Sequence, residues 1–161
     1  MELEKEQIIK YYYESFVKVD GLWFIKTEES YGFQKALDID RSVWEILPKI
    51  QARLLKSFYK DLDGLCLLKK ALETKLKLDH FKFEFKTNEQ KNKITVSINK
   101  CPWHEIMLKS GRENRSKDIG DVICSTEYKT FTNEIMDKAD VSLSKGICRG
   151  EKSCVLEIYA C

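Results

Sequence analysis

The chain is short of most features that announce a function. Its 161 residues include only two prolines, seven glycines and two histidines. No Gly-rich phosphate loop, Ser-centred elbow or dinucleotide fingerprint is present, which disfavours nucleotide-dependent chemistry. No apolar run approaches the ~20 residues that span a bilayer, and no lipidation signal or signal-peptide pattern is visible, so a soluble, cytoplasmic protein without a membrane partner is expected. Neither sign of charge dominates, with 28 basic and 26 acidic residues. Without a clear basic stripe, nucleic acid is not an expected partner. The one local concentration, Lys69, Lys70, Lys75, Lys77, Lys82 and Lys86, reads as solvated faces of a helix and a strand. No internal repeat, low-complexity tract or interdomain linker appears, and the length suits one domain with about 70% of its unfolded surface buried.

What is present begins with helical periodicity. Leu3, Ile8, Ile9, Tyr12, Phe16 and Val17 predict a first helix over residues 2 to 18, ended by Asp20-Gly21. A second pattern from Leu22 to Ala36 carries Trp23, Phe24, Tyr31 and Phe33. With Trp44 these aromatics are candidates for the wall of an apolar ligand pocket, Glu28 and Glu29 supplying polar groups; the plainer reading is core packing. Asp38-Ile39-Asp40 reads as a capping start for a helix from Arg41 to Tyr59, which Pro48 should kink or split at Leu47. Leu65, Leu68, Leu72 and Leu76 mark a further helix bearing Cys66, expected as a buried or half-buried filler.

From residue 79 the period changes. His80–Lys86 and Ile94–Lys100 alternate apolar and polar residues as a hairpin, and Val141–Ile147 with Cys154–Tyr159 form another. Between them, Cys101-Pro102 reads as a strand exit into a short helix. Gly111 to Gly120 is loop-like and polar, the natural place for a mobile cover, and a helix begins near Cys124 with Tyr128, Phe131 and Ile135 on one side. Residues 1–78 are thus mainly helical and 79–161 hold the two hairpins, an α+β pattern with N-terminal helices packed on an antiparallel sheet.

Cysteine is the one abundant chemical group, at six. If the hairpins share a sheet antiparallel, Cys101, Cys148 and Cys154 meet at one edge. Cys124, arriving from a helix start that lowers its pKa, then makes four sulfurs, the number a tetrahedral zinc takes. Buried core thiols and disulfides are the competing readings. His104 could replace one sulfur, its plainer role being a hydrogen-bonded helix residue. Cys161 is expected to have no role.

The segment Cys148-Arg149-Gly150-Glu151-Lys152-Ser153-Cys154-Val155-Leu156-Glu157-Ile158, with Cys124 before an aromatic-containing helix and a looser likeness over Tyr31–Trp44, resembles the vinyl-4-reductase domain family and its aminothiazoline-carboxylate-hydrolase-like relatives. The resemblance implies one α+β ligand-binding domain over 1–161, a bound zinc, dimerisation through helices, and an enclosed pocket for a small apolar or aromatic molecule. Lys145 stands near where some members place an acidic zinc ligand, which shifts weight to Cys101 as the fourth ligand.

Three functions follow as expectations. The first is a homodimeric small-molecule-binding or sensing protein with a structural zinc on Cys101, Cys124, Cys148 and Cys154, since four thiolates leave no place for water. The second is a zinc-dependent hydrolase or lyase with one cysteine outside the shell and His104 or Glu105 as general base. The third is a structural subunit with aromatics at a partner surface.

Overall fold

The computed structural model describes residues 2–160, the Ala160 side chain excepted, and it divides into two compact units, Met1–Ser42 and Val43–Cys161. Cys161 lies outside the described residues.

In the first unit a single helix, α1, runs from Lys5 to Tyr31. Its start is a capping box: the Glu4 N–H donates to Gln7 Oε1 at 2.9 Å, and the Glu4 side chain accepts in return. The helix passes straight through Asp20-Gly21, against the expectation of a stop there. A glycine within a helix costs only about 1 kcal/mol relative to alanine, and the uninterrupted hydrogen bonds on either side outweigh that. The stop comes at Gly32, whose φ of 84° suits glycine and whose N–H donates to the Glu28 carbonyl at 2.8 Å. The next helix, α2, covers Phe33–Trp44, so Asp38 to Asp40 lie inside a helix rather than capping one.

Pro48 then divides the pattern as expected. It has no N–H to offer the carbonyl of Trp44, so α2 ends there and α3 spans Leu47–Phe58 with the proline in its first turn. The helix α4 covers Gly64–Leu78. Two strands follow, β1 at Lys82–Asn88 and β2 at Lys93–Lys100. Then come α5 at Pro102–Lys109, α6 at Glu113–Ile135, β3 at Ala139–Lys145 and β4 at Cys154–Ala160. The polar stretch from Gly111 to Gly120 is therefore mostly the first two turns of α6. Its charged side chains pair at helical spacing, Lys117 with Asp121 at 2.8 Å, so polarity here marks a solvated helical face and not a loop.

The four strands form one antiparallel sheet in the order β1-β2-β4-β3. The alternation in sequence decides its faces. Ile94, Val96 and Ile98 on β2 and Leu156 and Ile158 on β4 are fully buried, and they join Ala52 and Leu55 of α3, Leu68 and Leu72 of α4, and Tyr128 and Phe131 of α6 in one core. Each fully buried aliphatic or aromatic side chain contributes about 1.5–3 kcal/mol. Lys82, Glu84 and Lys86 point away from that core. The two hairpins pair through β2 and β4, with Ile98 opposite Cys154, so the end of β2 and the start of β4 lie together. Among the described residues no helix is long and apolar enough to cross a membrane.

One charge is buried inside this packing. Lys75, read from sequence as part of a solvated face, is 4% exposed; its Nζ lies 2.6 Å from the Glu127 carboxylate on α6 and 2.7 Å from Asp79 Oδ2. Burial pushes the Lys75 ammonium down, but the two carboxylates more than offset it, and its pKa ends above the ordinary lysine value. The ion pair ties α4 to α6 at a defined register. Lys75→Met, which strands the Glu127 carboxylate in the core, should lower stability by about 3–5 kcal/mol. Urea denaturation of Lys75→Met against the double variant Lys75→Met/Glu127→Leu checks this, the double variant being the more stable of the two.

Candidate functional site: a cluster of cysteines

The cysteines come to one end of the sheet because four separate elements end or pass there. Cys101 is the residue before α5, held by the turn that Pro102 starts. Cys124 lies in the middle of α6, not at a helix start. Cys148 sits in a short 3-10 turn, Ile147–Arg149, and Cys154 opens β4. The turn carrying Cys148 is closed locally: the Arg149 N–H donates to the Gly146 carbonyl at 2.9 Å, and the Gly146 N–H donates to the Glu151 carboxylate at 3.0 Å. It is fastened to α6 by the Arg149 Nε, which donates to Asp121 Oδ1 at 2.6 Å.

Two glycines make room for one sulfur. A Cβ on Gly120 would stand 2.8 Å from Cys148 Sγ and 4.0 Å from Cys124 Sγ, and a Cβ on Gly146 would stand 3.4 Å from Cys148 Sγ. The Cys124 and Cys148 sulfurs thus face the same point on the α6 surface. Cys101 and Cys154 are near enough that charge on Cys154 raises the Cys101 thiol, and charge on Cys101, Cys148 or Cys154 raises that of Cys124. Cys101, Cys124, Cys148 and Cys154 are all free thiols and all partly exposed. Among the described residues, no three Cys, His, Asp or Glu side chains stand in an arrangement that holds a metal ion as they are.

One backbone N–H points at these sulfurs. The Ile147 N–H donates to Cys154 Sγ at 3.2 Å. Such a donor favours a charged sulfur. Burial acts the other way and is the larger effect: it pushes the Cys101 thiol up to about 12 and moves Cys124, Cys148 and Cys154 in the same direction. The lowering expected for Cys124 from a helix N-terminus is therefore reversed, because the residue sits well inside α6, away from the unpaired N–H groups of the first turn.

The remaining candidates are dispersed. His104 Nδ1 is 2.7 Å from Ser116 Oγ, which ties α5 to α6. Glu105 pairs with Lys100 at 3.0 Å, both side chains about 40% exposed. Trp23 and Tyr31 are 72% and 73% exposed. Phe24 and Phe33 meet edge-on at 6.0 Å between ring centres. Trp44 is buried, edge-on to Trp103. Cys66 is exposed and not the apolar filler expected: it sits in the first turn of α4, where the buried stripe begins only at Leu67.

Two features escaped the sequence reading. Glu127, buried one turn beyond Cys124, lies close enough for its charge to raise the Cys124 thiol. An acidic residue three positions after a cysteine, on the face carrying Tyr128 and Phe131, was the available signal. An open groove of about 600 Å³ lies between α4 and β1, lined by Lys69, Glu73, Lys77 and Lys82 with Phe81, Phe83 and Phe85.

Residues 1–153 match the profile of a family described as a family of unknown function (DUF6125). No curated protein and no solved structure matches the chain. The likeness to the vinyl-4-reductase family is thereby overturned: the cysteine, glycine-acidic turn and closing strand on which it rested are short local patterns, and the match over nearly the whole chain is to a different family. The zinc, dimer and enclosed pocket lose that support and stand only on this chain's own residues.

The packing of Gly120 carries its own test. Alanine normally stabilises a helix relative to glycine, yet at 120 its Cβ meets Cys148 Sγ at 2.8 Å and Cys148 Cβ at 3.3 Å. Gly120→Ala should cost about 1–3 kcal/mol. Gly21→Ala, in α1 with nothing within 4 Å, should instead stabilise by about 0.5–1 kcal/mol. Thermal melts of both variants decide whether the signs are opposite.

Proposed function

The chain belongs to this family of unknown function, and from that premise we propose that it is a small-molecule-binding or sensing protein whose four-cysteine cluster holds a structural zinc. One observation carries the reading: four free thiols from four elements gather at one end of the sheet, Cys124 and Cys148 around Gly120 and Cys154 beside the end of β2. The donor set suits zinc, which takes four thiolates in a closed shell. The arrangement is not closed as it stands, so binding requires the side chains to turn toward one another and release their protons.

The chain's own groups support that step. The Ile147 N–H on Cys154 is in place to stabilise that sulfur once it is charged. The Arg149–Asp121 bond holds the turn bearing Cys148 against α6. Zinc, when bound, would supply a cross-link between β2, α6 and the closing hairpin, with no coordination position left for water.

For the small molecule, the groove between α4 and β1 is the feature that supports binding. Its phenylalanine rings offer an apolar floor, and Lys69, Lys77 and Lys82 outnumber the single Glu73, which suits an apolar or aromatic molecule carrying negative charge. In this reading the protein works in a reducing cytoplasm, where thiols stay available to metal, and as a homodimer.

Native mass spectrometry of the purified full chain should find about one zinc per chain, and Cys148→Ser should lose it and lower the Tm by at least about 5 °C. A chain that takes up neither zinc nor cobalt, with Cys148→Ser melting unchanged, overturns the reading.

A further inference from the structure

A helix that packs on one side needs one apolar face, and α1 has two. One side carries Val17, buried, with Tyr13 and Phe24 half-buried. On the opposite side Ile8, Tyr12, Val19 and Leu22 follow the alternating four- and three-residue steps of a helix seam, with Ser15 at the step between Tyr12 and Val19. All four apolar residues of the seam are exposed, and Tyr11 and Trp23 flank them with 65% and 72% of their surface open.

We infer that this outer face of α1 is the surface on which a second copy of the chain docks. The inference rests on the homodimer component of the reading above and is independent of the metal. The exposed area is close to that of an interface. Aromatic side chains offer about 150–250 Å² each and aliphatic ones somewhat less, so the six residues leave on the order of 700 Å² of open apolar surface. A stable specific interface takes about 800 Å² from each partner, and the neighbouring exposed Ile9 and Phe16 supply the difference.

The charge on the helix also fits a second copy. The seam from Ile8 to Leu22 carries no ionisable side chain apart from Tyr12, and α1 as a whole is balanced, with Glu6, Glu14, Asp20, Glu28 and Glu29 against Lys5, Lys10, Lys18 and Lys26. A helix that lies on an anionic membrane surface is rich in Lys and Arg on its polar face, and a nucleic-acid partner needs a basic one. A neutral apolar seam is instead complementary to itself about a two-fold axis, the commonest symmetry of soluble homo-oligomers. Ser15, small and near the middle of the seam, lets two helices approach closely where they cross.

Sedimentation equilibrium of the full chain tests this, with circular dichroism to follow folding. The wild type should be a dimer, and Tyr12→Glu/Val19→Glu should weaken it at least about a hundredfold while keeping its helix content. Ile50→Glu, on the exposed side of α3, should leave the dimer intact. A monomeric wild type overturns both the homodimer and this surface. A wild-type dimer that survives the α1 substitutions, or that only Ile50→Glu dissociates, overturns the surface alone. Should the double variant not fold, tryptophan emission decides: wild-type emission should shift to the blue as concentration rises, and the shift should vanish in Trp23→Phe. A shift that persists in Trp23→Phe overturns the inference.

Discussion

The inner face of α6 is the constraint on which the second unit depends. Cys124, Glu127, Tyr128, Phe131 and Ile135 recur at helical spacing along it, and they meet different neighbours in turn. Phe131 and Tyr128 enter the core made by β2, β4 and α4. Glu127 reaches Lys75, and Cys124 faces the turn that holds Cys148. One helix therefore sets the register of α4 and the position of the closing hairpin together. A shift of α6 along its axis would break an ion pair, open a packed core and separate Cys124 from Cys148 at the same time.

Placing a charged pair beside a group of thiols has a chemical consequence. Negative charge on Glu127 raises the Cys124 and Cys101 thiols, and burial raises all four. Left to themselves the sulfurs stay protonated near neutral pH and are poor nucleophiles. The Ile147 N–H directed at Cys154 has the opposite tendency, and a cation would tip the balance further that way. On the proposed reading the cluster holds a metal and does not attack a substrate. His104 and Glu105 fit that view, since one is engaged with Ser116 and the other with Lys100.

The surfaces of the two units are unusual in one shared respect. On α1 and on α3, the side turned away from the buried residues is apolar: Ile8, Tyr12, Val19 and Leu22 on one, Ile50, Leu54 and Phe58 on the other, all at least 40% exposed. Single exposed apolar residues are ordinary on protein surfaces, whereas these are aligned in stripes along their helices.

Local pattern determined much of this protein by itself. Alternation placed both hairpins and their buried faces, because side chains on a strand point to opposite sides with a period of two whatever the rest of the chain does. Pro48 divided two helices and Pro102 opened a third, because a missing N–H acts within one turn. The meeting of β2 with β4, and with it Cys101 and Cys154 at one end, also followed from pairing geometry. Other features were decided only by tertiary packing. Asp20-Gly21 and the polar run before Gly120 were helical because neighbouring turns outweigh weak local preferences. Lys75 is buried because Glu127 and Asp79 are there to meet it, and Gly120 is required because Cys148 arrives from 28 residues further along the chain. Those are contacts between distant segments, and no spacing within either segment encodes them.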